Sequence, residues 1–125
     1  MIKVTCRRID SVTVVDLGGR ITLGDGSTVL RDTIRELVAN RDNRILLNLG
    51  EVTYIDSSGL GELVSAFTQV RKSGGELKLL NLTRKVHDLL QITKLYTVFD
   101  VQEDEARAIA AFSTESASRG GVPAH

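Results

Sequence analysis

Apolar positions change their spacing several times along the chain, and each change marks a new element. Residues 11–17 are a β-branched run built on Val12, Val14 and Val15 and closed by Gly18-Gly19, and residues 2–8 read as an earlier strand able to pair with it. Runs of this kind joined at Ile9-Asp10 predict two strands in an antiparallel hairpin. Residues 20–26 read as a loop, with Gly24-Asp25-Gly26 as turn residues. Ser27 is placed to cap a helix, because a side-chain oxygen there accepts an orphan first-turn N–H. Leu30, Ile34, Leu37 and Val38 follow at helical spacing, with Arg31, Asp32, Arg35 and Glu36 on the other face. Residues 40–43 end that helix.

The stretch Ile45-Leu46-Leu47-Asn48-Leu49 is almost continuously apolar, which predicts a strand over residues 44–49 covered on both faces. Residues 50–54 then link to a helix over 58–72, whose buried stripe is Leu60, Leu63, Val64, Phe67 and Val70. Gly74-Gly75 ends it, since glycine takes the left-handed conformation common at a helix C-terminus. Leu77, Leu79, Leu80 and Leu82 mark a strand over 76–82. Thr83 caps the next helix, with Val86, Leu89 and Leu90 inward. Val98-Phe99 reads as a last short strand, and residues 103–112 as a final helix with Ala106, Ile109 and Ala110 inward.

The order strand, strand, helix, strand, helix, strand, helix, short strand, helix predicts an α/β layer fold. Its sheet is mixed, with an opening β-hairpin, then mainly parallel strands, and about four helices. The strand at 44, the helix at 58 and the strand at 76 form a right-handed βαβ unit on this reading. One domain is expected over residues 1–112. Residues 113–125 are rich in Ser, Gly and Ala and carry Pro123, and a disordered tail is expected there.

Bulk properties narrow the function. A chain of 125 residues suffices for one domain with a core that needs no metal or disulfide. Lys plus Arg is 16 and Asp plus Glu is 16, so no basic excess points to nucleic acid or to a polybasic membrane contact. Cys6 is the only cysteine, which excludes an intrachain disulfide and suits a reducing compartment. It reads as a small core residue of the first strand. No leader pattern opens the sequence, and no apolar run approaches the ~18 residues of a membrane span. A cytoplasmic protein is expected.

Enzyme motifs are scarce. The two histidines are His87, on a polar helix position, and His125 at the last residue. No Gly-x-Ser-x-Gly elbow, Cys/His metal cluster or Gly-Lys-Ser/Thr phosphate loop occurs, and Gly59-Leu60-Gly61 lacks the third glycine of a dinucleotide fingerprint. No catalytic residue, metal or cofactor is implied.

One segment carries a signal: Asp56-Ser57-Ser58-Gly59-Leu60-Gly61. Read locally, Asp56 or Ser57 is a helix N-cap and the glycines allow close packing. The same geometry suits a switch. A serine where a strand passes into a helix lies at the C-terminal edge of the sheet, where sites in open α/β folds collect. Ser58 and Gly59 leave room for a partner. A phosphate on Ser57 adds roughly −1.5 to −2 charges at neutral pH, which the helix N-terminus tolerates and Asp56 opposes.

This string, preceded by a β-branched strand, resembles the STAS domain of anti-sigma factor antagonists. The resemblance runs from roughly Ile2 to Phe112, and includes Gly74-Gly75 before an apolar strand and a short helix ending near Leu95. It implies a small cytoplasmic regulator without catalytic activity. Unphosphorylated, such a protein binds an anti-sigma factor serine kinase of the histidine-kinase-like ATPase fold and so frees a sigma factor. The kinase phosphorylates the serine after the aspartate, here Ser57, and the complex breaks; a PP2C-type phosphatase reverses the step. Asp56, Ser57, Ser58, Gly59, Leu60 and Gly61 are the implied partner-binding residues. Residues 20–26 depart from the family pattern, looking longer and richer in glycine, and the tail after Phe112 is extra. Two alternatives remain open at this point: a STAS scaffold that is not phosphorylated, and a STAS domain binding a nucleotide or lipid at the same edge.

Overall fold

A computed structural model describes residues 2–112, and the expected tail lies outside them. Two strands, β1 (Ile2–Ile9) and β2 (Val12–Ile21), form the predicted antiparallel hairpin, turning at Asp10, whose φ is 56°. Helix α1 (Asp25–Ala39) leads to β3 (Arg44–Ile55), and α2 (Ser57–Lys72) to β4 (Glu76–Leu80). Helix α3 (Arg84–Ile92) and a 3₁₀ turn, Leu95–Thr97, lead to β5 (Asp100–Gln102). A final helix, α4, occupies residues 105–112. The strands lie in the order β1-β2-β3-β4-β5, antiparallel at the first pair and parallel at the rest.

Each parallel strand sits beside its predecessor, so crossovers of one hand place their helices on one face of the sheet. The core shows this. Leu30 and Ile34 of α1, Leu63 and Val70 of α2, and Val86 and Leu90 of α3 pack on Val15, Leu17, Ile45, Leu47, Leu49, Leu77 and Leu79. Phe67 meets Phe99 edge to face at 5.4 Å in the same layer. The opposite face carries a smaller cluster in which Ala108, Ile109 and Phe112 of α4 cover Val12, Val14, Leu46 and Leu80. The near-continuous apolar run of β3 is thus explained as expected, with alternate residues serving the two clusters.

A polar network ties α4 to the sheet beside that cluster. Arg7 donates to both carboxylate oxygens of Asp16, at 2.6 and 3.0 Å, and to Glu105 at 2.7 Å. Asn48 Nδ2 donates to Asp16 at 2.8 Å. The Arg7 guanidinium, above all, holds the Asp16 carboxyl below its ordinary range. Nearby, buried Lys78 donates to Asp100 at 2.6 Å and lies 5.1 Å from the Phe112 ring.

Several expected boundaries move. Strand β2 continues through Gly18-Gly19 to Ile21, and α1 begins at Asp25, so the presumed loop 20–26 shrinks to residues 22–24. Ser27 is not the cap: it is buried inside α1, and its hydroxyl donates to the Thr22 carbonyl at 2.9 Å. Strand β3 runs on to Ile55 because two register irregularities against β2 absorb the extra residues. Asn48 Oδ1 steadies the first by accepting from the Gly50 N–H at 3.1 Å. The last strand is Asp100–Gln102, two residues beyond Val98-Phe99, and Phe99 is buried as core instead. In α4 the inward residues are Ala108, Ile109 and Phe112, while Ala106 and Ala110 face outward. Cys6 is exposed, not core, because β1 is an edge strand whose outer half the helices do not cover.

Candidate acceptor site

The site is built at the C-terminal end of β2 and β3. Strand β3 ends at Ile55, paired with Ile21 of β2, and the chain turns at once into α2. Asp56 sits at the turn in extended conformation, with its N–H donating to the Ile21 carbonyl at 3.3 Å. Its side chain is the N-cap: Oδ1 accepts from the Gly59 N–H at 2.9 Å. The other oxygen, Oδ2, accepts from the Leu23 N–H at 3.0 Å. One carboxylate therefore joins the first turn of α2 to the link between β2 and α1. These bonds, led by Gly59 and then Leu23, hold the Asp56 carboxyl below its ordinary value of 3.8.

Ser57 is the first residue of α2 and is exposed. Of the two N-cap candidates, Asp56 and Ser57, Asp56 is the cap, and Ser57 has no capping duty. Among the described residues none hydrogen-bonds its hydroxyl. Ser58 is half-buried and Leu60 packs at the edge of the main core. Gly59 is buried, and its missing side chain serves the fold, not a partner. A Cβ there would meet the Ile21 carbonyl oxygen at 2.1 Å and methyl groups of Ile21 and Ile55 at 2.9 Å. Gly26 in α1 repeats the device, with a hypothetical Cβ 2.4 Å from the Arg20 carbonyl oxygen. The first turns of α1 and α2 thus clamp the end of β2 from two sides. Gly61, by contrast, is exposed with nothing within 4 Å of where a Cβ would stand. It lies four residues after Ser57, on the same helix face, and leaves that face low.

Exposed apolar residues that the sequence did not single out are Leu23, Tyr54 and Ile92. Only Ile92 carried a signal, being apolar yet off the Val86–Leu90 stripe of α3; Tyr54 keeps the period of Val52 in the sequence, and Leu23 lies in the link between β2 and α1. Arg20 stacks over the Tyr54 ring at 5.2 Å. His87 is half-exposed and packs edge to face on Tyr96 at 4.9 Å. It borders a cleft of about 540 Å³ at the same sheet edge, with Asn81, Thr83, Glu51 and Glu103. No Lys or Arg is among the lining residues of that cleft, which is poor chemistry for nucleotide phosphates. Among the described residues no group of three His, Cys, Asp or Glu side chains is placed to hold a metal ion, and no helix is long and apolar enough to cross a membrane.

A family model for the STAS domain matches residues 3–108. The chain is 34% identical over 100 residues to the anti-sigma-B factor antagonist of Bacillus subtilis, covering 80% of this chain and 90% of that one. The chain belongs to the STAS family, among the anti-sigma factor antagonists. The fold agrees. This STAS domain superposes on an anti-sigma factor antagonist of Mycobacterium paratuberculosis with a TM-score of 0.77 at 20% identity, covering 90% of this chain and 95% of that one. Against the phosphorylated form of the Bacillus cell fate determinant SpoIIAA the TM-score is 0.69 at 19% identity, covering 87% and 98%.

Proposed function

We propose that this STAS domain is an anti-sigma factor antagonist switched by phosphorylation of Ser57. Unphosphorylated, it binds an anti-sigma factor serine kinase and so releases a sigma factor. Phosphate on Ser57, placed by that kinase, ends the binding, and a PP2C-type phosphatase restores it. The protein acts by binding, without catalysis of its own, in the cytoplasm, and needs neither nucleic acid nor membrane.

The observation that carries this reading is the state of Ser57: exposed, first in its helix, with a hydroxyl the fold does not use. Asp56 already accepts the Gly59 N–H, so a phosphate on Ser57 finds this first-turn donor taken and projects toward a partner. Its roughly −1.5 to −2 charges then act mainly on the complex and little on the fold. That one relative, SpoIIAA, exists in unphosphorylated and phosphorylated forms is consistent with such a switch.

The test is phosphotransfer from ATP by the anti-sigma kinases of the genome that encodes this chain, with the site mapped by mass spectrometry. Phosphate is expected on Ser57 and absent from Ser57→Ala. Ser57→Ala keeps partner binding and, as no cap is lost, the wild-type melting temperature. Phosphorylated protein binds at least about tenfold more weakly, the equivalent of about 1.4 kcal/mol. Equal affinity of both forms would refute the switch.

A further inference from the structure

A groove of about 490 Å³ runs between α1 and α2, lined by Arg31, Arg35, Ser65, Thr68, Gln69 and Lys72. Its nearest α2 residue, Ser65, stands about 12 Å along the helix axis from Ser57 at the helical rise per residue. Arg31 and Arg35 are one turn apart on α1, a spacing at which like charges repel. Ser65, Gln69 and Lys72 follow one another along α2 at helical spacing and form the other wall. No carboxylate is among the lining residues. The acids of the neighbourhood are engaged elsewhere. Glu62 lies 3.6 Å and Asp32 4.0 Å from Arg31. Glu36 lies on the β1 side, where its charge, after burial, pushes the Cys6 thiol up. Asp42, in the link after α1, is bonded to Arg8. Arg71, the other cation in the last turn of α2, stands over the Phe67 ring at 5.6 Å.

The fold accounts for only part of this lining. Arg31 ties α1 to α2 through Glu62, a cation in the last turn of α2 suits the helix dipole, and the Thr68 hydroxyl donates to the Val64 carbonyl at 3.1 Å. Among the described residues Arg35 and Lys72 have no ion pair, and the Ser65 hydroxyl and the Gln69 side-chain amide have no hydrogen-bond partner. We propose that this groove binds a condensed inorganic phosphate, a diphosphate or a longer chain of the same units. Arg35 with Arg31 on one wall and Lys72 on the other hold its ends, and Ser65 and Gln69 donate between them. Cations and neutral donors without an acid select an anion. Cations on two walls call for more than one phosphoryl group. With no aromatic ring and no aliphatic side chain among the lining residues, the groove offers neither a stacking face for a nucleobase nor a bed for an acyl chain. The inference goes beyond the function proposed above and uses no residue of the segment 56–61.

The experiment is isothermal titration of the full chain with sodium diphosphate at low ionic strength, with amide spectra recorded along the titration. Saturable one-to-one binding is expected, with shifts confined to the groove segments 31–35 and 65–72. Arg35→Gln and Lys72→Gln should each weaken binding about tenfold, the loss of one charge-assisted contact. Both should stay close to the wild-type melting temperature, because both side chains are exposed. Arg84→Gln, which removes an exposed cation of α3 outside the groove, should bind as wild type. Sulfate, a single dianionic group, should bind more weakly than diphosphate, and ATP no more tightly than tripolyphosphate. Amide spectra unmoved by diphosphate, or Arg35→Gln and Lys72→Gln binding as wild type, would overturn the site. Sulfate binding as tightly as diphosphate, or ATP more tightly than tripolyphosphate, would overturn the assignment of its ligand.

Discussion

Gly59 and Gly61 sit two residues apart in one helix turn, yet alanine at each should act in opposite directions. At Gly59 a Cβ would stand 2.1 Å from the Ile21 carbonyl oxygen, a backbone atom at the end of a paired strand. Such an overlap is relieved only by moving α2 off the sheet or bending the end of β2. Overpacking of this kind costs about 3 kcal/mol at the upper end of the usual range. Alanine recovers up to about 1 kcal/mol over glycine in a helix, leaving a net loss of about 2 kcal/mol. For a domain of this size about 1 kcal/mol moves Tm by roughly 3–4 °C, so Gly59→Ala should melt roughly 7 °C below wild type. Gly61 has nothing within 4 Å of a Cβ, so Gly61→Ala keeps the helix gain and should melt about 2–4 °C above wild type. Thermal unfolding by circular dichroism and the urea midpoint read both. A Gly59→Ala protein as stable as wild type would refute the clamp of α2 on Ile21. Gly61→Ala carries a second reading: a methyl on the Ser57 face should slow phosphotransfer although the fold is firmer.

Two further outcomes follow from the carboxylates. Asp56→Ala removes the acceptor of both the Gly59 and Leu23 N–H groups, so hydrogen exchange at those two amides should accelerate together while β3 and β4 stay protected; Asp56→Asn, a good N-cap with one acceptor oxygen in place of two, should keep the Gly59 bond and lose the Leu23 one. The carboxyl is held below its ordinary 3.8, so its contribution is whole above the usual carboxylate range and fades as pH falls through the depressed value; unchanged Leu23 exchange in Asp56→Ala would refute the bridge. Asp16 is likewise depressed, by Arg7 first, so the folded state holds its charge to lower pH than the unfolded chain and stability declines on acidification. Asp16→Asn should cost about 1 kcal/mol at neutral pH, allowing for a half-exposed pair, and should flatten the urea midpoint between about pH 5 and pH 2; an equally steep profile would show that the Arg7–Asp16 pair is not what titrates.

The legible parts of the chain were those where one periodicity ran undisturbed. Leu30 and Ile34, Leu63 and Val70, and Val86 and Leu90 all face the core as their spacing predicted. Thr83 caps α3 as expected, accepting from Val86 N–H at 3.4 Å. The misread stretches are those where glycine or an irregular pairing hid a strand. Gly18-Gly19 looks like a terminator, yet in β2 these residues still pair with Glu51 and Val52. The far half of β3 lost its alternation because that strand carries two more residues than β2 over their paired length. Alanine in α4 was a weak guide, since Ala108 is core and Ala106 is not, and only the direction of the sheet decides between them. At the proposed acceptor, the string 56–61 was visible but its division of labour was not. Asp56 caps, Gly59 packs, Gly61 clears, and the exposed Ser57 is left idle by the fold.

That idleness would let the proposed phosphate on Ser57 act at the edge of the sheet without remodelling it. The backbone around Ser57 is held by contacts that do not involve its side chain: Asp56 N–H to Ile21, Asp56 carboxylate to Gly59 and Leu23, and Gly59 pressed on Ile21 and Ile55. The first turn of α1 presses on the same strand end through Gly26. Leu23 and Ser57 are therefore carried by one body anchored on Ile21, and charge added to the Ser57 hydroxyl meets no internal partner to displace. A conformational switch would need the opposite arrangement, with the acceptor hydroxyl bonded into the frame so that modification breaks it. In this frame the free-energy difference between the two states must appear at the partner, in desolvation and like-charge repulsion across the contact. The two forms of the free protein should accordingly give superimposable amide spectra apart from residues at the start of α2 and in the link at Leu23. Shifts spread through β3 and β4 on phosphorylation would mean that the frame yields, and that the signal passes through the sheet instead of across the surface.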